Sequence, residues 1–183
     1  MKNPFKTLSS KIVYKNPWIR VREDAIIRPD GSEGIYSVVE SKDSVVVGAL
    51  NDKNELFLIY SFSYPAQSWQ WELPGGSCDD DHRLVASKRE LAEETGITAK
   101  QWTELQSTRV CDGFMTERTT TLLARDLSFG SKTVADDHGV IAEGRFFSFA
   151  QIHKMVQEGK IDEGQTITAL YLIEHWLKKN QLA

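Results

Sequence analysis

Between residues 73 and 97 this chain carries the segment that most constrains how it can fold. Leu73-Pro74-Gly75-Gly76 ends a strand-like run, because Pro lacks the ladder donor and Gly contributes no side chain to pack. Asp79-Asp80-Asp81 offers N-cap candidates for a helix over residues 82–95, and Gly96 supplies the left-handed residue that stops it. At about 100° per residue, with Glu90 at the origin, Glu93 falls near −60° and Glu94 near +40°. Three carboxylates therefore share one face. Leu84, Val85, Leu91 and Ala92 fall at roughly 100° to 220°, which predicts an apolar stripe opposite the acids. Like charges within one turn repel unless a cation or solvent compensates, and hard oxygen donors in such a cluster suit Mg²⁺ or Mn²⁺. A lone Glu-x-x-Glu-Glu is ordinarily a solvated helix face, with Arg89 and Glu93 as an i,i+4 pair. The Gly-Gly ahead of this one and the Gly behind it argue for more.

The rest of the chain reads as strands, then strands and helices in alternation. Period-two stretches over 18–27, 36–41, 45–50 and 55–64 are separated by Arg28-Pro29-Asp30-Gly31 and by Asn51-Asp52-Lys53-Asn54. After the helix, strands are expected over 104–111, 119–127 and 145–149. Helices are expected over 150–158 and 166–179, the last with Ile167, Leu170, Ile173 and Leu177 on one face. This is an α/β pattern. Its length of 183 residues suits one domain with a small added layer.

Charge and cysteine content narrow the function classes. A net charge of −4, with no basic run longer than Lys178-Lys179, argues against a chain that coats nucleic acid or anionic lipid. Cys78 and Cys111 have no CxxC partner, which reads as reduced thiols of a cytoplasmic protein. No N-terminal apolar h-region and no run long enough to span a bilayer are present, so no membrane association is expected.

The segment Arg89-Glu90-Leu91-Ala92-Glu93-Glu94-Thr95-Gly96-Ile97, with Gly75 ahead of it, resembles the box of the Nudix hydrolases. Six fixed identities at about one in fifteen each would coincide roughly once in ten million windows, which sets the solvated-helix reading aside. The resemblance implies a Nudix-type α-β-α sandwich with a mixed sheet, preceded by a small antiparallel N-terminal β layer. The expected division is 1–43 for the layer and 44–183 for the hydrolase domain. It also implies Mg²⁺-dependent attack of water on a diphosphate, with Mn²⁺ as an alternative metal. Carried over by position, Glu90, Glu93 and Glu94 and the Gly75 carbonyl would be metal ligands. Glu93 would also be a catalytic residue, and Arg89 would hold a glutamate. Counting back from Arg89, the box Gly falls on Gly75 and its loop acid on Asp81, whereas counting forward from Pro74 the loop is one residue short of the family pattern, which leaves Asp81 either a helix N-cap or a structural acid.

Asn16-Pro17-Trp18, Trp71-Glu72-Leu73-Pro74, the stretch Gly113-Phe114-Met115-Thr116-Glu117 and Gly159-Lys160-Ile161-Asp162 resemble the ADP-ribose and nucleoside diphosphate sugar pyrophosphatase branch. In that branch the N-terminal layer completes a swapped homodimer and two aromatics hold the base, which would fall to Trp18 and Tyr36; Glu117 would orient substrate. The general base comes from a late acidic loop, here Glu143 or Asp137, with Asp136 beside it. Tyr60-Ser61-Phe62-Ser63 stands where the branch often has Arg-Gln-Tyr-Arg, and Asp112 replaces a common Pro; both favour a range of nucleoside diphosphate sugars over ADP-ribose alone. A Nudix enzyme of nucleoside triphosphates or dinucleoside polyphosphates, and a non-catalytic nucleotide-sugar sensor, are the competing readings.

Overall fold

The computed structural model describes residues 2–79, 81–130 and 139–181. The chain divides into two compact units, Met1–Asp43 with Arg109–Arg118, and Ser44–Thr108 with Thr119–Ala183.

In the first unit, β1 (Lys6–Lys15), β2 (Ile19–Ile27) and β3 (Glu33–Ser41) form an antiparallel sheet in that order. The turn between β2 and β3 is closed by Gly31 N–H donating to the Arg28 carbonyl at 2.9 Å, with Asp30 accepting from the Ser32 amide. Residues 109–118 belong here because they hydrogen-bond to β3: Val39 N–H donates to the Phe114 carbonyl, and Thr116 N–H to the Val39 carbonyl. All of β1 is exposed, and Leu8, Ile12, Val13 and Tyr14 are among its exposed side chains.

The second unit is built on β4 (Ser44–Ala49), whose last five residues are buried on both faces, as a parallel central strand requires. It pairs in parallel with β9 (Arg118–Phe129) and antiparallel with β7 (Gly75–Ser77), giving the mixed sheet order β7-β4-β9-β8, where β8 is Ile97–Arg109. A second sheet, order β10-β5-β6, joins β10 (Ile141–Ser148), β5 (Glu55–Ser63) and β6 (Ser68–Glu72) in antiparallel register. Strand alternation sends β4 side chains to opposite faces. Val45 meets Leu122 and Ala86 of α1 (Arg83–Thr95) on one side. On the other, Val46 and Leu123 meet Ile152 of α2 (Phe149–Gln157) and Leu170, Ile173 and Leu177 of α3 (Gly164–Lys179). Helices thus cover both faces of the mixed sheet, the expected layered α/β arrangement.

Both longer helices end as their sequences indicate, and both begin differently, α3 at Gly164 behind the N-cap Glu163 and not at Thr166. Gly96 adopts φ 69° and its N–H reaches the Ala92 carbonyl, closing α1. The α1 N-cap is His82, not one of the aspartates: its ring accepts from the Leu84 amide at 3.4 Å. Among the described residues, no helix is long and apolar enough to cross a membrane.

Candidate functional site

The acids of α1 lie against β7, where glycine leaves room for them. Gly75 and Gly76 pair with Val46 and Val45 of β4. A Cβ built on Gly76 would lie 2.6 Å from the Glu90 carboxyl carbon and Oε1, so the Glu90 carboxylate fills the place of an absent side chain. Its side chain retains 12% of its exposure. One turn on, Glu94 Oε2 accepts a hydrogen bond from the Gly75 amide at 2.9 Å. This corrects the expected wheel. The buried residues of α1 are Ala86, Ser87, Leu91 and Thr95, which bracket Glu90 and Glu94, while Val85, assigned to the apolar stripe, is 52% exposed. Counting apolar residues placed the acids opposite the core; the missing side chains of β7 place two of them at its edge.

Arg89 ties the acids and the preceding loop together. Its Nη1 lies 2.9 Å from Glu90 Oε1 and 3.1 Å from Glu93 Oε2, and its Nη2 donates to the Ser77 carbonyl at 2.9 Å. Asp81 and Asp79 approach the same guanidinium at 3.7 and 3.9 Å. Asp81 therefore faces Arg89 and is not the N-cap, and Asp80 lies outside the described residues. Burial pushes the Glu90 carboxyl above its ordinary pKa; Arg89 opposes that shift, and the charges of Glu93 and Asp79 add to it. Among the described residues no three of His, Cys, Asp and Glu converge closely enough to encage an ion. The donor chemistry nonetheless fits a hard divalent cation: carboxylate oxygens of Glu90, Glu93 and Glu94 with a backbone carbonyl at Gly75, on the side of β7 where glycine admits the Glu90 carboxylate.

The candidate bases separate. Glu143 is exposed on β10 opposite Tyr60, next to a register shift between Ile141 and Glu143, so it belongs to a strand and not to the expected loop. Asp136 and Asp137 lie outside the described residues.

In the first unit, Trp18 precedes β2 and is 77% exposed, with its amide held by Asn16 Oδ1 at 2.9 Å. Tyr36 of β3 donates its hydroxyl to the Gly113 carbonyl at 3.0 Å and meets Phe5 edge-on at 6.2 Å. A hollow of about 490 Å³ beside it is lined by Phe5, Ile26, Arg28, Pro29, Ile35 and Tyr36. Glu117 accepts from the Ser41 hydroxyl at 3.4 Å.

One charged group went unread in the sequence. Glu72, at the end of β6, accepts from the Ser61 hydroxyl at 2.5 Å and from the Gln70 amide at 2.9 Å. Ser61 and Gln70 are cross-strand partners, so the period-two alternation of Gln70 and Glu72 was the available signal. Burial raises the Glu72 pKa; the two hydrogen bonds oppose that, and the Glu163 charge adds to it. Folding thus strengthens proton binding, so Glu72 contributes stability below the ordinary carboxyl range that is lost as pH rises through its raised value. Glu72→Gln is expected to raise the melting temperature by a few degrees at pH 8 and to leave it unchanged near pH 4. Scanning calorimetry at both pH values checks this, and a variant less stable at pH 8 would contradict it.

Comparison with known proteins bears on what the geometry can do. Residues 5–39 match the nucleoside diphosphate sugar hydrolase N-terminal domain family, and residues 41–170 match the NUDIX domain family. The chain is similar to an ADP-ribose pyrophosphatase of Mycobacterium tuberculosis, 27% identical over 160 residues, covering 86% of this chain and 77% of that protein. It is also similar to an ADP-ribose pyrophosphatase of Bacillus subtilis, 23% identical over 170 residues and 92% of each. In fold it resembles the crystal structure of an ADP compounds hydrolase, with a TM-score of 0.84 at 19% identity, covering 98% of this chain and 97% of that one.

Proposed function

We propose, from the premise that this chain belongs to the Nudix family, that it hydrolyses the diphosphate of nucleoside diphosphate sugars of the ADP-ribose, ADP-glucose or GDP-mannose type. The products are a nucleoside monophosphate and a sugar phosphate. The observation that carries the reading is the α1 carboxylate face set over Gly75 and Gly76, with Glu94 held by the Gly75 amide. Its relation to two ADP-ribose pyrophosphatases and the separate match of its N-terminal strands to nucleoside diphosphate sugar hydrolases support the substrate class.

Glu90, Glu93, Glu94 and the Gly75 carbonyl would hold Mg²⁺ or Mn²⁺. Such an ion, when bound, neutralises diphosphate charge and lowers the pKa of an attacking water. The chain's own residues do the positioning. Arg89 bonds Glu90 and Glu93 through one nitrogen by charge-assisted contacts, which fixes the two carboxylates relative to each other. In the reaction one bond forms between the water oxygen and a phosphorus, and the anhydride P–O bond on that phosphorus breaks. The water proton passes to a general base, for which Glu143 and Asp137 are the candidates. Trp18 and Tyr36 offer flat π-faces for a base, which stacking holds at about 1–3 kcal/mol per base. The exposed Leu8, Ile12, Val13 and Tyr14 of β1 support assembly as a homodimer through the N-terminal sheet.

The test is turnover of ADP-ribose, ADP-glucose, GDP-mannose, ATP and a diadenosine polyphosphate, each with Mg²⁺, Mn²⁺ or EDTA, with product masses recorded and the oligomer sized by sedimentation. Nucleoside monophosphate released from the sugar nucleotides, and abolished by EDTA, is the expected result. Cleavage of ATP alone would move the substrate class, and binding of ADP-ribose without turnover would make the chain a sensor. A monomer would remove the homodimer.

A further inference from the structure

The strap between β6 and β7 is held at every residue, and one of its holds comes from a helix on the other face of the sheet from α1. Val47 N–H donates to the Pro74 carbonyl at 2.8 Å, and the Gly75 amide donates to Glu94. Between Glu72 and Pro74, the buried Leu73 donates its amide to Thr166 Oγ1 of α3 at 3.1 Å. Thr166 is 1% exposed. Helical Thr hydroxyls ordinarily bond back to the carbonyl four residues earlier, as Thr168 does to Gly164 at 2.8 Å. Thr166, in the first turn of α3, has no helical carbonyl four residues back, and its oxygen accepts from a strap amide outside the helix. Its own amide is fixed by the N-cap, Glu163 Oε2, at 2.6 Å.

We infer that Thr166 is a positioning residue for the metal ligands of the proposed activity, acting through Leu73 on Gly75 and Glu94. Two peptide units separate the Leu73 and Gly75 amides, and Pro74 between them fixes its φ, so the strap moves as a stiff piece. Without the Thr166 acceptor, the Leu73 amide must seek another partner, because a buried donor is not left unpaired. That shift reaches the Gly75 amide and, with it, the Glu94 carboxylate. Groups that orient ligands from outside typically account for about 10- to 100-fold in metal affinity.

This inference rests on the metal-dependent reading, and its test separates the two. Mn²⁺ binding to substrate-free protein is measured by electron paramagnetic resonance for wild type, Thr166→Val, Thr166→Ala, Thr166→Ser and Thr168→Val, with melting temperatures. Val and Ala are expected to weaken Mn²⁺ about tenfold in the folded protein; Ser, which keeps the acceptor, and Thr168→Val stay within about twofold. By linkage, Mn²⁺ must also slow hydrogen exchange at the Leu73 amide in wild type, a readout that needs no variant. A merely structural role would lower the melting temperature without changing Mn²⁺ affinity. Wild-type affinity in folded Thr166→Val, or Leu73 exchange insensitive to Mn²⁺, overturns the inference alone. Absence of Mn²⁺ binding by wild type overturns the metal-dependent reading and this inference with it.

Discussion

Turnover in Glu94→Gln is expected to fall by at least about 100-fold, with the melting temperature within about 2 °C of wild type. Orienting groups outside a metal's ligand set already account for about 10- to 100-fold, and a ligand itself stands above that. The substitution keeps side-chain volume and an amide oxygen that can accept the 2.9 Å bond from the Gly75 amide, so the strap keeps its hold on α1. What is lost is a full negative charge on a face that also carries Glu90 and Glu93. Removing one of three like charges does not weaken the helix, so a loss of activity cannot be assigned to unfolding. Steady-state kinetics on the preferred sugar nucleotide, beside a thermal melt, checks both halves. Near-normal turnover in a folded variant would remove Glu94 from the metal site.

The helices were legible because their signals are local. Gly96 ends α1 and Leu170, Ile173 and Leu177 mark the buried side of α3, as their spacing predicts. Ile167, predicted on that side, is 38% exposed, and Thr166 is buried in its stead. The hydroxyl has a partner in Leu73, on a strap 93 residues earlier, which no local pattern encodes. β1 was not read as a strand, since all ten of its residues are exposed and no burial imposes alternation on it. β7 was read as a stop: Gly-Gly has no strand propensity of its own, and pairing with β4 supplies what the residues lack.

At the candidate site the residue types were legible and their surroundings were not. The Arg89–Glu93 pair follows from i,i+4 spacing and charge, whereas the contact of Arg89 with Glu90, its neighbour in sequence, does not. That Asp81 would face Arg89, leaving His82 to cap α1, depends on the path of a loop that is one residue short. The burial of Glu90 depends on what its helix packs against. A helical wheel ranks faces by their own side chains, and a neighbouring strand with none to offer reverses the ranking.

That reversal gives Gly76→Ala an effect out of proportion to one methyl group. Gly76 is not in the left-handed region, so its backbone accepts alanine, and strand pairing with Val45 does not suffer. The added Cβ falls 2.6 Å from Glu90 Cδ and Oε1 and 2.8 Å from Oε2, closer than non-bonded atoms approach. The carboxylate is the end of a flexible side chain, whereas the strand is fixed by β4, so the carboxylate gives way. Displaced, Glu90 loses its place over β7 and with it the ligand geometry. Turnover is expected to drop about 100-fold while the melting temperature moves by no more than about 3 °C. If the loss runs through Glu90, it must be strongly non-additive with Glu90→Gln: in that background alanine at 76 should cost less than about threefold. Additive losses in the double variant would mean that Gly76 acts on the site by another route, such as the Gly75 amide and Glu94.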